Sequence, residues 1–424
     1  MVTLYTVDER KERRLVARLT LAEGVTRTGD AVTQVALPLT AVLVLDATPV
    51  ELAFIGLAQA IPIFALSIPV GAWVDRRRHR WTLLIGADVA RAGLLTLVPV
   101  LAALGYLTLP LLAAITFLVG VAGTLFDLSF AGWVPRLLKG DALHQANARI
   151  ELSRSAALVA GPAVGGALVS ALSAPLALLA DAASFIGSAA LIGSARRAEP
   201  PAEPDAAPRS VRAELTAGAA FLVRQPLVAA VVSTVATNNL SRHVAMGVAV
   251  LYLVDTGGLD PAGIGLAFAL GNSGFVVGAL LARRISRRLG MGRTMQFGVA
   301  LFGPSMLLFA LAPPELAGVT FGLMLFTHGL GIALHNVNQV TVRQVLTPDR
   351  LRARVTGVIR ILGFGAIPLG TVLDGVIGEL VGIRWSLIVS GIGLLGGSLP
   401  YLVVRVGRLG SVDDLALPET SAAG

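Results

Sequence analysis

Twelve apolar runs, each long enough to cross a bilayer, are separated by gaps in which positive charge alternates from one gap to the next. The runs fall at about residues 17–44, 50–73, 82–104, 109–134, 149–171, 175–195, 226–253, 261–282, 294–312, 316–341, 354–378 and 384–404. A hydrocarbon core of about 30 Å needs roughly 20 apolar residues in helical form. Of the 34 Lys and Arg residues, 28 lie in the termini and the even-numbered gaps or at the adjoining run ends (Arg18, Arg149 and Arg354), five lie deeper inside the runs, and the odd-numbered side holds only Arg384, at the start of the last run. Positive charge is retained on the cytoplasmic side, so this pattern predicts twelve transmembrane helices with both termini cytoplasmic. A miscounted span would scramble the alternation.

Composition agrees. The chain has 424 residues, 55% hydrophobic and 14% charged, against about 25% charged in a soluble domain, and its mean hydropathy is +0.77. A net charge of +8 could suggest nucleic acid, but its one-sided placement points to membrane topology, and no nucleic-acid partner is expected. The absence of cysteine removes disulfides and thiolate metal sites. The first apolar run is longer than a signal-peptide core and lacks an A-x-A-like cleavage site, so it reads as a retained helix.

The organisation follows from the interruptions. Residues 1–16 form a cytoplasmic segment, 17–195 a first six-helix bundle, 196–225 a cytoplasmic linker, 226–404 a second six-helix bundle and 405–424 a tail. Four prolines in AEPPAEPDAAP, residues 198–208, make the linker semi-rigid, and Ala213–Gln225 reads as a short amphipathic helix suited to a membrane surface. The halves are related in sequence. Arg154 and Pro162 recur as Arg360 and Pro368 at an offset of 206, Gly71 recurs as Gly278 at 207, and Asp141 recurs as Asp349 at 208. Parallel six-helix repeats are a known architecture of secondary transporters, with the substrate site near the midplane.

The loop GAWVDRRRHR, residues 71–80, resembles the loop 2–3 motif of the major facilitator superfamily, G-x-x-x-D-R-x-G-R-K. Gly71, Asp75, Arg76 and Arg80 match it, whereas Arg78 and His79 replace the usual Gly and Arg. The second-half copy, GALLARRISRR from Gly278, has Ala282 in place of the Asp. GPAVGG at 161–166 is similar to the core of the G-P-x-x-G-G motif of proton-coupled exporters, through Gly161, Pro162, Gly165 and Gly166; Ala157 and Ala148 stand where upstream glycines are usual. The stretches ALPLTAVLVL, DVARAG, ELSRS and NVNQVTVRQVLTPDRLRARV resemble a bacterial branch associated with macrolide efflux and export of enterobactin-type siderophores. The resemblance spans essentially the whole chain. It implies an all-α integral membrane fold of two pseudo-symmetric six-helix bundles, with the first, fourth, seventh and tenth helices lining a cavity. It also implies that Asp75 latches against the eleventh helix, and that Asp127 closes a charge relay with the basic end of the loop.

Ionisable groups inside spans are the sharpest chemical signal, because a charge at the bilayer centre costs about 2.5–3.5 kcal/mol even on the gentlest scale. Glu23, Arg27 and Asp30 are spaced four and three apart, on one helical face. One arginine then faces two carboxylates, and a proton or a cationic substrate would complete the set. Asp30, Glu23 and Asp127 are accordingly the proton-coupling candidates, with a structural ion-pair role the alternative for Glu23. Asp88 with Arg91, and Glu151 with Arg154, are spaced to pair within their own helices, and the first pair reads as structural. Asp181 has no evident local partner. Cavity or substrate candidates are Arg27, Arg154, Asn238, Asn239, Arg242, His328, His335, Asn338, Gln339 and Arg360. Phe54, Phe64, Phe126 and Phe130 are the aromatic side chains available for a small drug pocket.

No P-loop, H-E-x-x-H or nucleophile elbow is present, so neither an enzyme nor a cofactor nor a metal site is expected. Without a nucleotide site, uphill transport draws on an ion gradient. The expectation is a monomeric secondary transporter of the bacterial cytoplasmic membrane, partnered by a small-molecule substrate, protons and the lipid bilayer. It would export an amphipathic drug, antibiotic or siderophore by proton antiport; the alternative is uptake of a nutrient or metabolite. A receptor or non-transporting subunit would carry a long soluble domain, for which there is no stretch of sequence.

Overall fold

A computed structural model describes residues 9–75, 77, 79–196 and 211–411. Among these every regular element is a helix. The first six are α1 (Glu9–Leu45), α2 (Pro49–Asp75), α3 (Arg80–Ala103), α4 (Leu109–Leu137), α5 (Gly140–Ala171) and α6 (Ala174–Ala195). Next come α7 (Val211–Arg224), α8 (Pro226–His243) and α9 (Met246–Leu251), which runs on into a π-helical turn at Tyr252–Thr256. The rest are α10 (Pro261–Leu289), α11 (Met291–Ala300), α12 (Phe302–Leu311), α13 (Ala317–Leu346), α14 (Asp349–Leu380), α15 (Ile383–Gly396) and α16 (Leu399–Val403). Eleven of the resulting segments are long and apolar enough to cross a membrane. A twelfth is reached with Pro226–Thr256, which is bent by 111° from the short helix before it. Large apolar side chains point outward along these helices, among them Leu152, Val319, Leu369 and Leu280. That surface suits lipid, and helices satisfy their own backbone within it. The chain is a multi-pass membrane protein.

Several predicted spans are broken. The seventh pauses at Val244 and Ala245, the ninth at Leu301, and the twelfth at Gly397 and Ser398. At the first of these breaks α9 begins with free backbone amides, as every helix does. Asp374 of α14 supplies the acceptor: its Oδ2 takes hydrogen bonds from the Gly247 and Val248 N–H groups at 2.8 and 3.1 Å. A carboxylate is also favoured there by the helix dipole.

The helix predicted over Ala213–Gln225 is α7. Its Leu222 packs into a buried cluster with Val228 and Val232 of α8 and Val355, Val358 and Ile359 of α14, while Val223 on the opposite side is 85% exposed. The Pro-rich stretch 198–208 lies outside the described residues.

Two compact units emerge. Unit 1 is Met1–Ala47, Phe54–Ala206 and Asp260–Ala269; unit 2 is Thr48–Ala53, Ala207–Leu259 and Leu270–Gly424. In unit 1, α1 packs on α5 and α6, and α3 on α4 and α6; in unit 2, α14 packs on α8, α12 on α15, and α11 on α13. The units depart from consecutive halves by exchanging the first turns of α2 and α10. Tight contacts explain both exchanges. In unit 1 a Cβ on Gly166 would lie 2.9 Å from the Gly265 Cα, and one on Gly265 would lie 2.8 Å from the Gly166 Cα. In unit 2 a Cβ on Gly375 would lie 3.1 Å from the Val50 Cα. The repeat seen in sequence is visible in one pair of helices, since α5 and α14 each run for 32 residues with a proline inside, Pro162 and Pro368.

Gly161, Pro162, Gly165 and Gly166 of GPAVGG form a buried spine of α5, with Val164 exposed on the other side. Gly161 lies against Ala31 and Gly165 against Val32 of α1, and Gly166 faces the first turn of α10. A methyl group at Gly166 or Gly265 forces these backbones apart, so Gly166→Ala and Gly265→Ala are each expected to destabilise the protein by about 1–3 kcal/mol. Thermal unfolding of the purified protein checks this, and an unchanged midpoint in both variants contradicts the packing account.

Candidate functional site

Unit 1 holds a continuous network of charged side chains drawn from five helices. Its centre is Arg27 of α1. The Arg27 Nε donates to Glu23 Oε1 at 2.8 Å, its Nη1 to Asp30 Oδ2 at 3.1 Å, and its Nη2 to Asp127 of α4. The spacing seen in sequence, four and three residues on one face, therefore does bring Glu23, Arg27 and Asp30 together. Three carboxylates share the one guanidinium, whose planar fork of five N–H donors can serve several acceptors at once.

Two further arginines extend the network. Arg154 of α5 reaches Glu23 Oε1 through Nε at 2.7 Å and Nη2 at 2.6 Å. This corrects the expected pairing of Arg154 with Glu151 in the same helix: Glu151 is exposed, and the stronger partner is the fully buried Glu23 on α1. Arg91 of α3 does pair with Asp88 within its helix, as its spacing predicts. It also approaches Asp30 Oδ1 at 3.6 Å, which joins a pair read as purely structural to the coupling candidates. The Arg91 guanidinium is held between the rings of Phe126 and Phe185, 4.6 and 3.9 Å from their centroids, a cation–π arrangement that fixes its position in an apolar setting. Asp181 of α6 lies beside these groups. It accepts from Thr33 on α1 at 2.5 Å and from Ser184 one turn on at 3.0 Å.

Five carboxylates thus stand against three guanidiniums: Glu23, Asp30, Asp88, Asp127 and Asp181 against Arg27, Arg91 and Arg154. If all are ionised, two negative charges are left over. Glu23 also has an oxygen to spare, since Oε1 takes both arginines while the buried Oε2 has no hydrogen-bond partner.

Among the described residues Asp127 pairs with Arg27, while Arg76 and Arg78, part of the basic loop to which the superfamily motif relates it, lie outside them. Of the motif residues, Arg76 and the Asp75 side chain lie outside the described residues. Gly71 is half-buried near Leu128. Arg80 is buried, with its guanidinium against Gly132 of α4. The proposed aromatic pocket does not form. Phe126 and Phe130 stack on each other inside the unit 1 core, with centroids 5.7 Å apart, whereas Phe54 and Phe64 point outward.

In unit 2 the candidates from the seventh and tenth spans divide. His335 bonds to the Tyr401 hydroxyl; Asn338 donates to the Leu334 carbonyl at 2.8 Å and accepts from Ser286 at 3.0 Å; Gln339 is buried. Asn239 donates to the Gly363 carbonyl at 2.9 Å, tying α8 to α14. Arg360 is exposed on α14. His328 packs its ring on Phe302 at 4.2 Å. Asn238 and Arg242 lie half-buried on α8. Asp374 escaped the sequence reading, although a lone acid in the last part of the eleventh apolar run is a legible signal.

A family model described as a transmembrane secretion effector matches residues 13–421. The chain belongs to this family of major facilitator transporters. It is 27% identical over 391 residues to the multidrug efflux pump Tap of Mycolicibacterium fortuitum, covering 89% of this chain and 91% of the pump. It is 24% identical to YfiS of Bacillus subtilis (strain 168), an uncharacterized MFS-type transporter, covering 88% of this chain and 89% of the relative. Among solved structures, a bacterial homologue of the iron transporter ferroportin superposes with a TM-score of 0.76 at 16% identity, over 93% of this chain and 99% of that one. A point mutant of the nucleoside transporter NupG superposes with a TM-score of 0.73 at 13% identity, over 92% and 99%. At such identities these likenesses establish the fold, which is that of a major facilitator transporter.

Because Arg27 serves three carboxylates and Arg154 is partly exposed, their removal has unequal effects. Arg27→Gln is expected to destabilise the protein by about 3–5 kcal/mol, as for a buried pair that loses one partner. Arg154→Gln costs less, and Asp127→Asn, at the more exposed end, no more than about 1 kcal/mol. Denaturant or thermal unfolding ranks the three; equal effects would contradict the central place of Arg27.

Proposed function

We propose that this transporter exports small amphipathic organic molecules of the drug, antibiotic or siderophore type in exchange for protons, by alternating access. It would act in the bacterial cytoplasmic membrane with both termini on the cytoplasmic side. The observation that carries the coupling is the charge imbalance in unit 1, five carboxylates on three arginines. A surplus anion in a low-dielectric setting is disfavoured, so a proton is the smallest ligand that relieves it. Export rather than uptake is favoured by the GPAVGG spine of α5 and by similarity to pumps named for multidrug efflux.

Asp30 is the central proton carrier in this reading. It touches both Arg27 and Arg91, so its protonation releases one arginine towards Glu23 and Asp127 and the other towards Asp88. Glu23 is the second carrier, through its unpartnered Oε2. Asp127, paired only at the exposed end of Arg27, assists. A bistable set of contacts of this kind converts a proton into a shift between conformations. Gly71, Asp75, Arg76 and Arg80 would latch the cytoplasmic side, and Gly161, Pro162, Gly165 and Gly166 would keep α5 close enough to its neighbours to limit leak.

The test is direct. Cells expressing the protein should accumulate less of a lipophilic dye such as ethidium, and a protonophore should restore accumulation. Asp30→Asn should abolish this concentrative efflux while the protein remains in the membrane at normal abundance. Normal uphill efflux by Asp30→Asn would remove Asp30 from the mechanism. Greater dye accumulation in expressing cells would favour uptake.

A further inference from the structure

Unit 2 contains a polar cluster with the opposite electrostatic character. Arg242 lies in the last turn of α8, inside the seventh predicted span, half-buried. Among the described residues its side chain has no ion pair and no hydrogen bond, whereas each arginine of the unit 1 network meets at least one carboxylate. Arginine does not shed its proton in proteins, so its charge persists in an environment where an unmatched charge is unfavourable. His243 and His328 lie within electrostatic reach of it, and neither can supply negative charge. Asp374, which meets the start of α9 just beyond this end of α8, has its Oδ2 committed to the amides of Gly247 and Val248, and its Oδ1 takes no hydrogen bond from Arg242.

Other polar atoms there are unmatched too. Asn238, one turn before Arg242 on the same helix, has a buried Oδ1 with no partner, and so does the Nε2 of His328 on α13. His328 is 3% exposed, and buried polar groups normally find a partner. By contrast the neighbouring Asn239 and His243 are satisfied: Asn239 donates to the Gly363 carbonyl, and the His243 Nδ1 lies 2.8 Å from the Asn239 carbonyl. The unmatched groups thus include a cation, an imidazole edge and a side-chain amide.

We propose that Arg242, His328 and Asn238 form a subsite in unit 2 for an organic carboxylate, with the carboxylate on the Arg242 guanidinium and an adjacent hydroxyl or N–H on the Asn238 amide. Guanidinium and carboxylate match in shape and charge and pair through two parallel hydrogen bonds. His328, neutral with a proton on Nε2, donates to the same anion. This names a substrate class for the transporter of the preceding section, and rests on that reading only in treating the bound molecule as cargo. It requires neither proton coupling nor the outward direction.

Salicylate and salicylamide differ in charge but hardly in size, and both carry a hydroxyl beside the variable group. Binding of each, radiolabelled, is measured on the full chain in lipid nanodiscs, with no gradient. Salicylate should bind saturably and at least about tenfold more tightly than salicylamide, the order expected of one charge-assisted pair. Arg242→Gln should cut that preference to below about threefold, and Arg242→Lys, which keeps charge but loses the fork, should retain part of it. Absence of saturable salicylate binding to the unaltered protein overturns the proposal, as does equal affinity for the two compounds or a preference that survives in Arg242→Gln. Should Arg242→Gln fail to fold, the charge preference of the unaltered protein and its fall in His328→Ala decide the matter, an unchanged preference in His328→Ala counting against it. Salicylate binding with Arg242-dependent preference in a protein that shows no dye efflux would sink the export reading and leave this subsite standing.

Discussion

Charge in hydrocarbon must be matched, and the design of unit 1 follows from how nearly it is. Arg27 cannot lose its proton, so α1 can be buried only if acids come to it. Two arrive from its own helix and one from α4. Those acids need more positive charge than one guanidinium offers, which draws in Arg154 from α5 and Arg91 from α3. Arg91 in turn is pinned between two phenylalanine rings. The mutual requirement of these groups ties the helices together. Even so, carboxylates outnumber guanidiniums in the assembly, five to three.

Close packing of small residues supplies the complementary constraint. In a bilayer there is no hydrophobic force between helices beyond that offered by lipid, so contact area and backbone proximity hold them together. Gly161 and Gly165 bring α5 onto α1, and that approach lets Arg154 reach Glu23. Without it the guanidinium of Arg154 would have no carboxylate to meet on α1. The glycine spine and the charge network are therefore one device, with packing setting the distance at which electrostatics operates.

The two units treat polar side chains differently. Unit 1 gathers acids around arginines until negative charge is in surplus. Unit 2 spends most of its polar groups on structure: Asp374 caps α9, Asn239 ties α8 to α14, and His335 bonds to Tyr401. Arg242, Asn238 Oδ1 and the His328 Nε2 are among the groups of unit 2 left unmatched. Repeats that share a fold, as the paired lengths of α5 and α14 display, have thus diverged in how they place charged side chains.

Much was legible in the one-dimensional pattern. Apolar run length and the one-sided placement of arginine depend only on local composition, and they yielded the all-helical membrane fold, the span positions and the amphipathic character of α7. Spacing within one helix is equally local, so Glu23, Arg27 and Asp30, and Asp88 with Arg91, were brought together as their offsets require. Contacts between helices were not legible. Arg154 with Glu23 and Arg27 with Asp127 join residues 131 and 100 positions apart, and no periodicity encodes which helix faces which. Phe126 and Phe130, plausible pocket residues by chemistry, became core because α4 turns that face inward. Local composition decides what each segment is, since hydration and hydrogen bonding act residue by residue; which charges meet is decided only when packing sets the rotation and approach of each helix.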